Sequence, residues 1–318
     1  MAEVRDGSDP AAIAAAAALL RAGELVAFPT ETVYGLGGDA RSAGAAARIY
    51  AAKGRPSHNP LIVHVLDRAG ALGCVEGWSD RADRLAEAFW PGPLTLVLAR
   101  GRAIPAEIAG GGDTVAVRAP RHPVARALIA AFGGPIAAPS ANRSSAISPT
   151  RADHVVAELG DRIALVLDGG ACDVGLESTV VDLTGPRVRI LRPGHVTASA
   201  LAGVLGEAID EGPAPASEGL RSPGMLLRHY APRTPVVITD RARIEAEGPN
   251  DAVFLVRSGL AKPNVCVLPS DPMDYARELY GALRWADAIR ARALWIEAVP
   301  EGEAWSAIRD RLTRAAAP

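Results

Sequence analysis

The apolar run Leu25-Val26-Ala27-Phe28 stops at Pro29 and passes directly into Thr30-Glu31-Thr32. So short a continuous apolar stretch reads as a strand buried on both faces, which delivers the polar residues after it to the carboxyl edge of a sheet. The arrangement recurs along the chain. Strands are predicted at Leu61–Val65, Leu94–Leu98, Val115–Val117, Ile136–Ala138, Ile163–Leu167 and Ser178–Leu183, with helices over 43–52, 80–89, 122–132 and 151–159. Ahead of the first strand, Asp9-Pro10, an alanine-rich run to Arg21 and then Gly23 supply the cap, first-turn proline and stop of a helix. Alternation of this kind gives an α/β layer fold whose strand-end loops carry the chemistry.

Between about residues 206 and 234 the periodicity lapses into Gly, Pro, Ser and Glu, as in Glu211-Gly-Pro-Ala-Pro-Ala-Ser-Glu-Gly219, which reads as a linker. Beyond it, strands at Val236–Thr239, Val253–Val256, Val265–Leu268 and Ala293–Glu297 and helices over 272–290 and 303–316 predict a second, smaller α/β domain. The expected plan is a first domain over 1–205, a linker over 206–234 and a C-terminal domain over 235–318. At roughly 100–200 residues per domain, 318 residues suit two domains.

Thirty-four basic against thirty-six acidic side chains, a formal charge of −2, exclude a histone-like binder, so a polyanion must be met at a local site. No run approaches the ~18 consecutive apolar residues of a membrane span. The first residues, with Glu3, Asp6 and Asp9, lack the basic start and apolar core of a secretory signal, and a cytoplasmic location is the expectation. Cys74, Cys172 and Cys266 form no CxxC pair, which predicts reduced, mostly buried thiols. The sequence has no GxxxxGK[ST], no full GxGxxG around Gly35-Leu-Gly37-Gly38, no HxxxH or HExxH and no GxSxG. P-loop, dinucleotide, zinc-hydrolase and serine-hydrolase chemistries are thereby disfavoured.

What remains is a set of polar residues at strand ends. Lys53-Gly54-Arg55-Pro56 puts a point charge and a planar fork of donors on one compact loop, a pair suited to phosphate, although a solvated loop is the plainer reading of those residues alone. Ala138-Pro139-Ser140-Ala141-Asn142, followed by Arg143-Ser144-Ser145 and Ser148-Pro149, joins small residues that permit close backbone approach to hydroxyl and amide groups, and reads equally as a turn. Glu177-Ser178-Thr179-Val180 opens a strand with two hydroxyls, and Arg192-Pro193-Gly194 ends the next. His64 follows Ile62 and Val63 on a strand and fits either a ligand-facing or a core position.

In order, the segments Phe28-Pro-Thr-Glu-Thr-Val-Tyr-Gly-Leu36, Lys53-Gly-Arg-Pro56 with Asn59-Pro-Leu-Ile-Val-His64, and Trp90-Pro-Gly-Pro-Leu-Thr95 form one half of a larger pattern. Val117-Arg-Ala-Pro120, Ala138-Pro-Ser-Ala-Asn142, Glu177-Ser-Thr-Val180, Leu191-Arg-Pro-Gly194, Ser222-Pro-Gly-Met225 and His229-Tyr-Ala-Pro232 complete it. The whole resembles the threonylcarbamoyladenylate synthase family of the Sua5/YrdC/YwlC type, in the long form with a C-terminal domain. The likeness runs from residue 24 to 235, with a weaker match around Ala282–Asp287 and Ala307–Ala315.

The resemblance implies a YrdC-like twisted open sheet with a concave, positively charged cleft, a Rossmann-like α/β C-terminal domain and a linker that covers the cleft. It implies an enzyme that makes L-threonylcarbamoyladenylate and pyrophosphate from L-threonine, bicarbonate or CO2, and ATP, for the t6A modification of adenosine 37 in tRNA. A downstream transferase complex and tRNA are then indirect partners, no membrane is involved, and a monomer is the default. On matching positions, Thr32, His64, Arg118, Ala138 and Ser178 form the threonine site. Lys53, Arg55, Asn59, Thr114, Ser140, Asn142, Ser148, Arg192 and Tyr230 form the ATP site, with Lys53, Arg55, Ser140 and Asn142 carrying catalysis. No resident metal is implied, Mg2+ arriving on the ATP phosphates.

The segment 222–232 is expected to act as a lid. Leu226-Leu227 there depart from the basic or aromatic residue of many relatives. Arg277, Arg284, Arg290 and Arg292, interspersed with Asp274, Glu278 and Asp287, are expected on a solvated helix face. The rival reading is an RNA-binding or ribosome-assembly protein using the basic cleft. A carbamoyl-adenylate activity of the hydrogenase-maturation kind would bring zinc-finger-like cysteines, which this sequence lacks.

Overall fold

A computed structural model of the chain describes residues 1–212 and 228–317. The first domain comprises β1 (Glu3–Asp6), α1 (Pro10–Arg21), β2 (Val26–Phe28), β3 (Gly35–Asp39), α2 (Ala43–Lys53), β4 (Ile62–His64), α3 (Arg68–Leu72), α4 (Asp80–Phe89) and β5 (Leu94–Ala99). It continues with β6 (Thr114–Arg118), α5 (Pro123–Phe132), β7 (Ile136–Ala137), α6 (Ala152–Leu159), β8 (Leu165–Asp168), β9 (Thr179–Asp182), β10 (Arg189–Arg192), α7 (Ala198–Leu205) and β11 (Asp210–Glu211). The second comprises β12 (Val236–Thr239), α8 (Arg241–Glu247), β13 (Val253–Val256), β14 (Val265–Val267), α9 (Pro272–Ile289), β15 (Leu294–Glu297) and α10 (Ser306–Ala316).

Helix ends fall where the sequence supplies caps. The Asp9 carboxylate accepts from the Ala11 N–H ahead of Pro10, and Ser42 caps α2. Gly54, at φ 61°, ends α2 in the left-handed region that glycine adopts without penalty, so the chain turns sharply between Lys53 and Arg55.

The first domain is one mixed sheet in the order β1-β8-β2-β3-β7-β4-β6-β5-β9-β10-β11. Register sets the site. β4 lies parallel to β6 with His64 opposite Arg118 and antiparallel to β7 with His64 opposite Ile136. β5 lies parallel to β9 with Leu94 opposite Thr179, which brings Ser178 to the end of the same row. One face of these central strands is buried in the main core through Leu61, Val63, Leu96, Val117 and Val181. The other carries a small separate cluster of Ile62, Val97, Ala116, Val180 and Leu191.

β3 is hidden from the sequence pattern, because Gly35, Gly37 and Gly38 give it no apolar alternation. The glycines are there for contact. A Cβ on Gly37 would lie 2.9 Å from the Phe28 ring, and one on Gly38 3.2 Å from both Ala45 and Ile49 of α2. The first domain also runs past the expected boundary at 205, since β11 adds to the sheet edge with Asp210 beside Arg189. Cys74 and Cys172 are buried and Cys266 is half-buried, all as free thiols. Among the described residues no helix is long and apolar enough to cross a membrane.

The second domain is a parallel sheet, β12-β15-β13-β14, with α9 and α10 packed on it, matching the expected Rossmann-like plan. It docks closely on the first. Val33, Ile147 and Leu176 of the first domain share one buried cluster with Tyr275, Leu279, Tyr280 and Ile308 of the second. Arg284 is not on a solvated face as expected: it is largely buried and donates to Glu158 Oε1 at 2.6 Å and to the Ile147 carbonyl across the interface. Gly175, at φ 77°, approaches α9 so closely that a Cβ would lie 2.5 Å from the Arg277 Cα. A Gly175→Val substitution is therefore expected to wedge the domains apart and destabilise the protein by about 1–3 kcal/mol, read as a lowered unfolding midpoint; an unchanged midpoint would contradict the tight docking.

Candidate active site

The ends of β4, β6 and β7 and the segments after β2 and before β9 converge on one cavity, whose lining includes Thr32, His64, Arg118, Ala138 and Ser178. Arg118, 3% exposed, is held from three directions. Its Nε donates to the Gly92 carbonyl at 3.1 Å, one terminal nitrogen to Thr32 Oγ1 at 2.8 Å, and the other to Glu31 Oε1 at 2.6 Å. Burial opposes the charge on Glu31, but Arg118 and the Arg121 N–H hold its carboxyl below the usual range. The Thr30 hydroxyl donates to the Val33 carbonyl at 2.6 Å, so at its 2.8 Å contact with Thr32 it accepts. His64 packs edge-on against Phe28, and burial, then the charge of Arg118, push its imidazole down to about 3. It is a neutral ring, and its buried Nδ1 has no protein partner. Most buried polar side-chain atoms have a partner, so the unpaired Nδ1 favours a ligand-facing ring over a core one.

Arg55, Ser140, Arg192 and Tyr230 line the same cavity. Arg55 donates to Asn59 Oδ1 at 2.6 Å and to the Pro60 carbonyl at 2.9 Å, and burial, with the charge of Arg192, pushes it down to about 10. Arg192 donates to the Ser178 carbonyl at 3.1 and 3.0 Å and to its hydroxyl at 3.1 Å. Ser178 Oγ lies 2.7 Å from Thr95 Oγ1. Lys53 stands behind the wall rather than in it, donating to the Ser140 carbonyl at 2.5 Å, the Asn142 carbonyl and Asn142 Oδ1. Three acceptors match the three N–H bonds of an ammonium, although burial and then Arg55 push its pKa well down. Asn142 in turn donates to the Ala146 carbonyl at 2.7 Å.

Among the predicted residues, Asn59, Asn142, Lys53 and Ser148 thus support the wall, and Thr114 lies apart. It stands on the same face of β6 as Arg118 but four residues along, roughly 13 Å away. Between them Ala116 and Ile62 offer an apolar floor. His229 and Tyr230 close the cavity, which in this state holds about 40 Å3, room for roughly one or two waters. Residues 222–227 of the expected lid lie outside the described residues.

Sequence reasoning passed over Glu31, Thr95 and Glu177. Both carboxylates sit inside quoted motifs, and their type was the available signal: a Glu beside a strand-end hydroxyl implies a buried cation elsewhere. Glu177 lines the cavity. It accepts from Ser148 Oγ at 2.6 Å, Tyr280 Oη at 2.9 Å and Arg311 Nε at 2.7 Å. Burial opposes its charge, yet Arg311, Arg192 and the Ser148 hydroxyl outweigh that and bring the carboxyl down to about 2.

Fold and site together define a two-domain α/β protein with a buried, arginine-rich cavity at its strand ends. Residues 18–194 match the family described as "Telomere recombination", and residues 196–317 the one described as "Threonylcarbamoyl-AMP synthase, C-terminal domain". The chain is 41% identical over 320 residues to the threonylcarbamoyl-AMP synthase of Bacillus subtilis, covering 96% of this chain and 92% of that one. It is 39% identical over 329 residues to the enzyme of that name from Pyrococcus abyssi, covering 98% and 96%. The crystal structure of P. abyssi Sua5 complexed with L-threonine matches with a TM-score of 0.92 at 39% identity, over 97% of this chain and 95% of that one. The chain belongs to the threonylcarbamoyl-AMP synthase family, in its long, two-domain form.

The depressed Glu177 gives a pH signature. Its folded pKa lies below the ordinary carboxylate value, so the stability it contributes is present above about 4.5 and is lost as pH falls toward about 2. The melting temperature of wild type is expected to exceed that of Glu177→Gln at neutral pH, the gap closing between pH 4.5 and 2. A gap independent of pH would contradict an ionised Glu177.

Proposed function

We propose that this protein is an L-threonylcarbamoyladenylate synthase, joining L-threonine, bicarbonate or CO2 and ATP, with release of pyrophosphate, in the supply of t6A to tRNA. The observation that supports the reading is one cavity whose lining brings together Thr32, His64, Arg118 and Ser178 with Arg55, Ser140 and Arg192. Three of the five N–H donors of Arg118 are engaged, leaving one on each terminal nitrogen, the number that a bidentate carboxylate takes. Neutral His64, with its free Nδ1, suits a polar group of the amino acid rather than a second charge. ATP would lay its phosphates against Arg55, Arg192 and the Ser140–Asn142 loop and extend its base along the apolar floor toward Thr114. A phosphate beside Lys53 would favour the ammonium that its three acceptors already suit.

In the reaction so proposed, the threonine nitrogen adds to the carbon of CO2 and a proton leaves, giving a carbamate. A carbamate oxygen then attacks the α-phosphorus, the bond to the bridging oxygen breaks, and pyrophosphate departs with the electron pair. No protein nucleophile is needed. The chain contributes position and charge: Arg118 fixes the carboxylate, Arg55 and Arg192 meet the growing charge on the phosphates, and Lys53 holds the loop that faces them. His229 and Tyr230 exclude water from the labile carbamate and mixed anhydride, and the cavity must open for ATP to enter.

Mg2+ would arrive with the nucleotide and spread the phosphate charge. The lining suits that role: Arg55 and Arg192 would share the phosphate charge with the ion, and Glu177 already accepts from three partners. The cations support a small ligand over RNA: Lys53, Arg55, Arg118 and Arg192, all 7% exposed or less, gather at a cavity rather than on an exposed face that a polynucleotide could lie along.

Purified protein is expected to release pyrophosphate only when ATP, Mg2+, bicarbonate and L-threonine are all present; release indifferent to threonine would contradict the assignment. Arg118→Ala should weaken threonine binding by about 1.5–3 kcal/mol and leave ATP binding little changed in calorimetric titrations. Equal losses for both ligands would undo the division of the cavity.

A further inference from the structure

The second domain supplies no group to the chemistry above, yet it completes the polar network around the cavity. Arg311, on α10, is 1% exposed. Its Nε donates to Glu177 Oε2 at 2.7 Å, beside the Tyr280 hydroxyl at 2.9 Å. Two of the three donors to the carboxylate that lines the cavity therefore cross the domain boundary. Glu177 itself stands between two walls of the site. Through Ser148 it holds one end of the loop whose other end, at Ser140 and Asn142, is pinned by Lys53. Its chain neighbour Ser178 receives Arg192 at both carbonyl and hydroxyl.

A buried carboxylate stripped of its cation draws in the nearest guanidinium, since an unpaired charge in this setting costs far more than a broken surface pair. Arg192 is close enough for its charge and that of Glu177 to influence each other. Arg311 also lies over the Tyr230 ring at 5.0 Å, and Tyr280 stacks on that ring at 5.9 Å, so the same two residues back the wall formed by Tyr230. Gly175 permits the close docking that brings them there.

We infer that Arg311 is a positioning residue contributed by the C-terminal domain: by neutralising Glu177 it keeps Arg192 on Ser178 and the Ser148 end of the loop in place, so that the nucleotide side of the cavity is assembled only when the two domains are docked. This rests on the ATP-and-threonine reading of the cavity. It gives the second domain a part in the reaction without contact to substrate.

The test measures binding of a non-hydrolysable ATP analogue by calorimetry, with melting temperatures, on full-length wild type, Arg311→Met and Arg311→Met/Glu177→Gln. Arg311→Met is expected to weaken nucleotide binding on the order of 10- to 100-fold. The second substitution removes the stranded charge and is expected to restore most of the affinity while the melting temperature stays below that of wild type, because the cross-domain ion pair is still missing. Affinity that simply follows melting temperature through the series, or an Arg311→Met variant that binds as wild type does, would overturn the inference. Should Arg311→Met fail to fold, Arg311→Lys keeps the charge without the planar fork and is expected to bind near the wild-type level; a loss of about 10-fold or more in that variant overturns it. Wild type that binds no nucleotide would instead overturn the functional reading on which the inference stands.

Discussion

The structure is organised by the cost of burying positive charge. Lys53, Arg55, Arg118, Arg192 and Arg311 all lie around the cleft at 7% exposure or less, against the two buried carboxylates Glu31 and Glu177. Isolated, each such cation would be expelled or neutralised. Here each is held by carbonyls, side-chain oxygens or a carboxylate, and the elements that supply those acceptors are thereby fixed. Gly92 and Thr32 are set by Arg118, the Ser140–Asn142 loop by Lys53, and the start of β9 by Arg192. The excess of cations makes the cavity ready for an anionic guest, and the arrangement exists before any guest arrives.

This division explains why the two arginines nearest the proposed substrates differ. Arg118 is anchored by an acid, Glu31, and keeps two N–H bonds in reserve, which favours a small carboxylate of fixed geometry. Arg55 is anchored by neutral acceptors, Asn59 and Pro60, and keeps its full charge for a more highly charged group. Glu177 would upset the balance if it faced the cavity alone, and Arg311 removes that liability from outside the first domain.

Much of the fold is legible in the sequence because strand interiors are apolar runs. Val236–Thr239 and Val253–Val256 coincide with the predicted strands, and the helices over 43–52, 80–89, 122–132 and 151–159 recur within a residue of their expected ends. β3 and β1 escape for opposite reasons: one is made of glycines selected for close approach, and the other, Glu3–Asp6, is an exposed edge without an apolar face. The site is legible where chemistry and position coincide, as at Arg118 and Ser178. It is illegible where a residue acquires meaning only from a distant partner. Glu31 and Arg118 are 87 positions apart, Glu177 and Arg311 134, and no local pattern joins them. Thr114 shows the converse, a position assigned by resemblance alone that register leaves two pleats along β6 from Arg118.

In the reaction proposed, one sunken, cationic cavity holds an amino acid and a nucleotide side by side, so that they react with each other and never with the chain. A crystal structure of the protein with L-threonine and a non-hydrolysable ATP analogue tests it most directly. The threonine carboxylate is expected on Arg118, the α-phosphate beside the Ser140–Asn142 loop, and the threonine nitrogen turned toward that phosphorus. Ligands bound at separate surfaces, or joined covalently to a side chain, would contradict it.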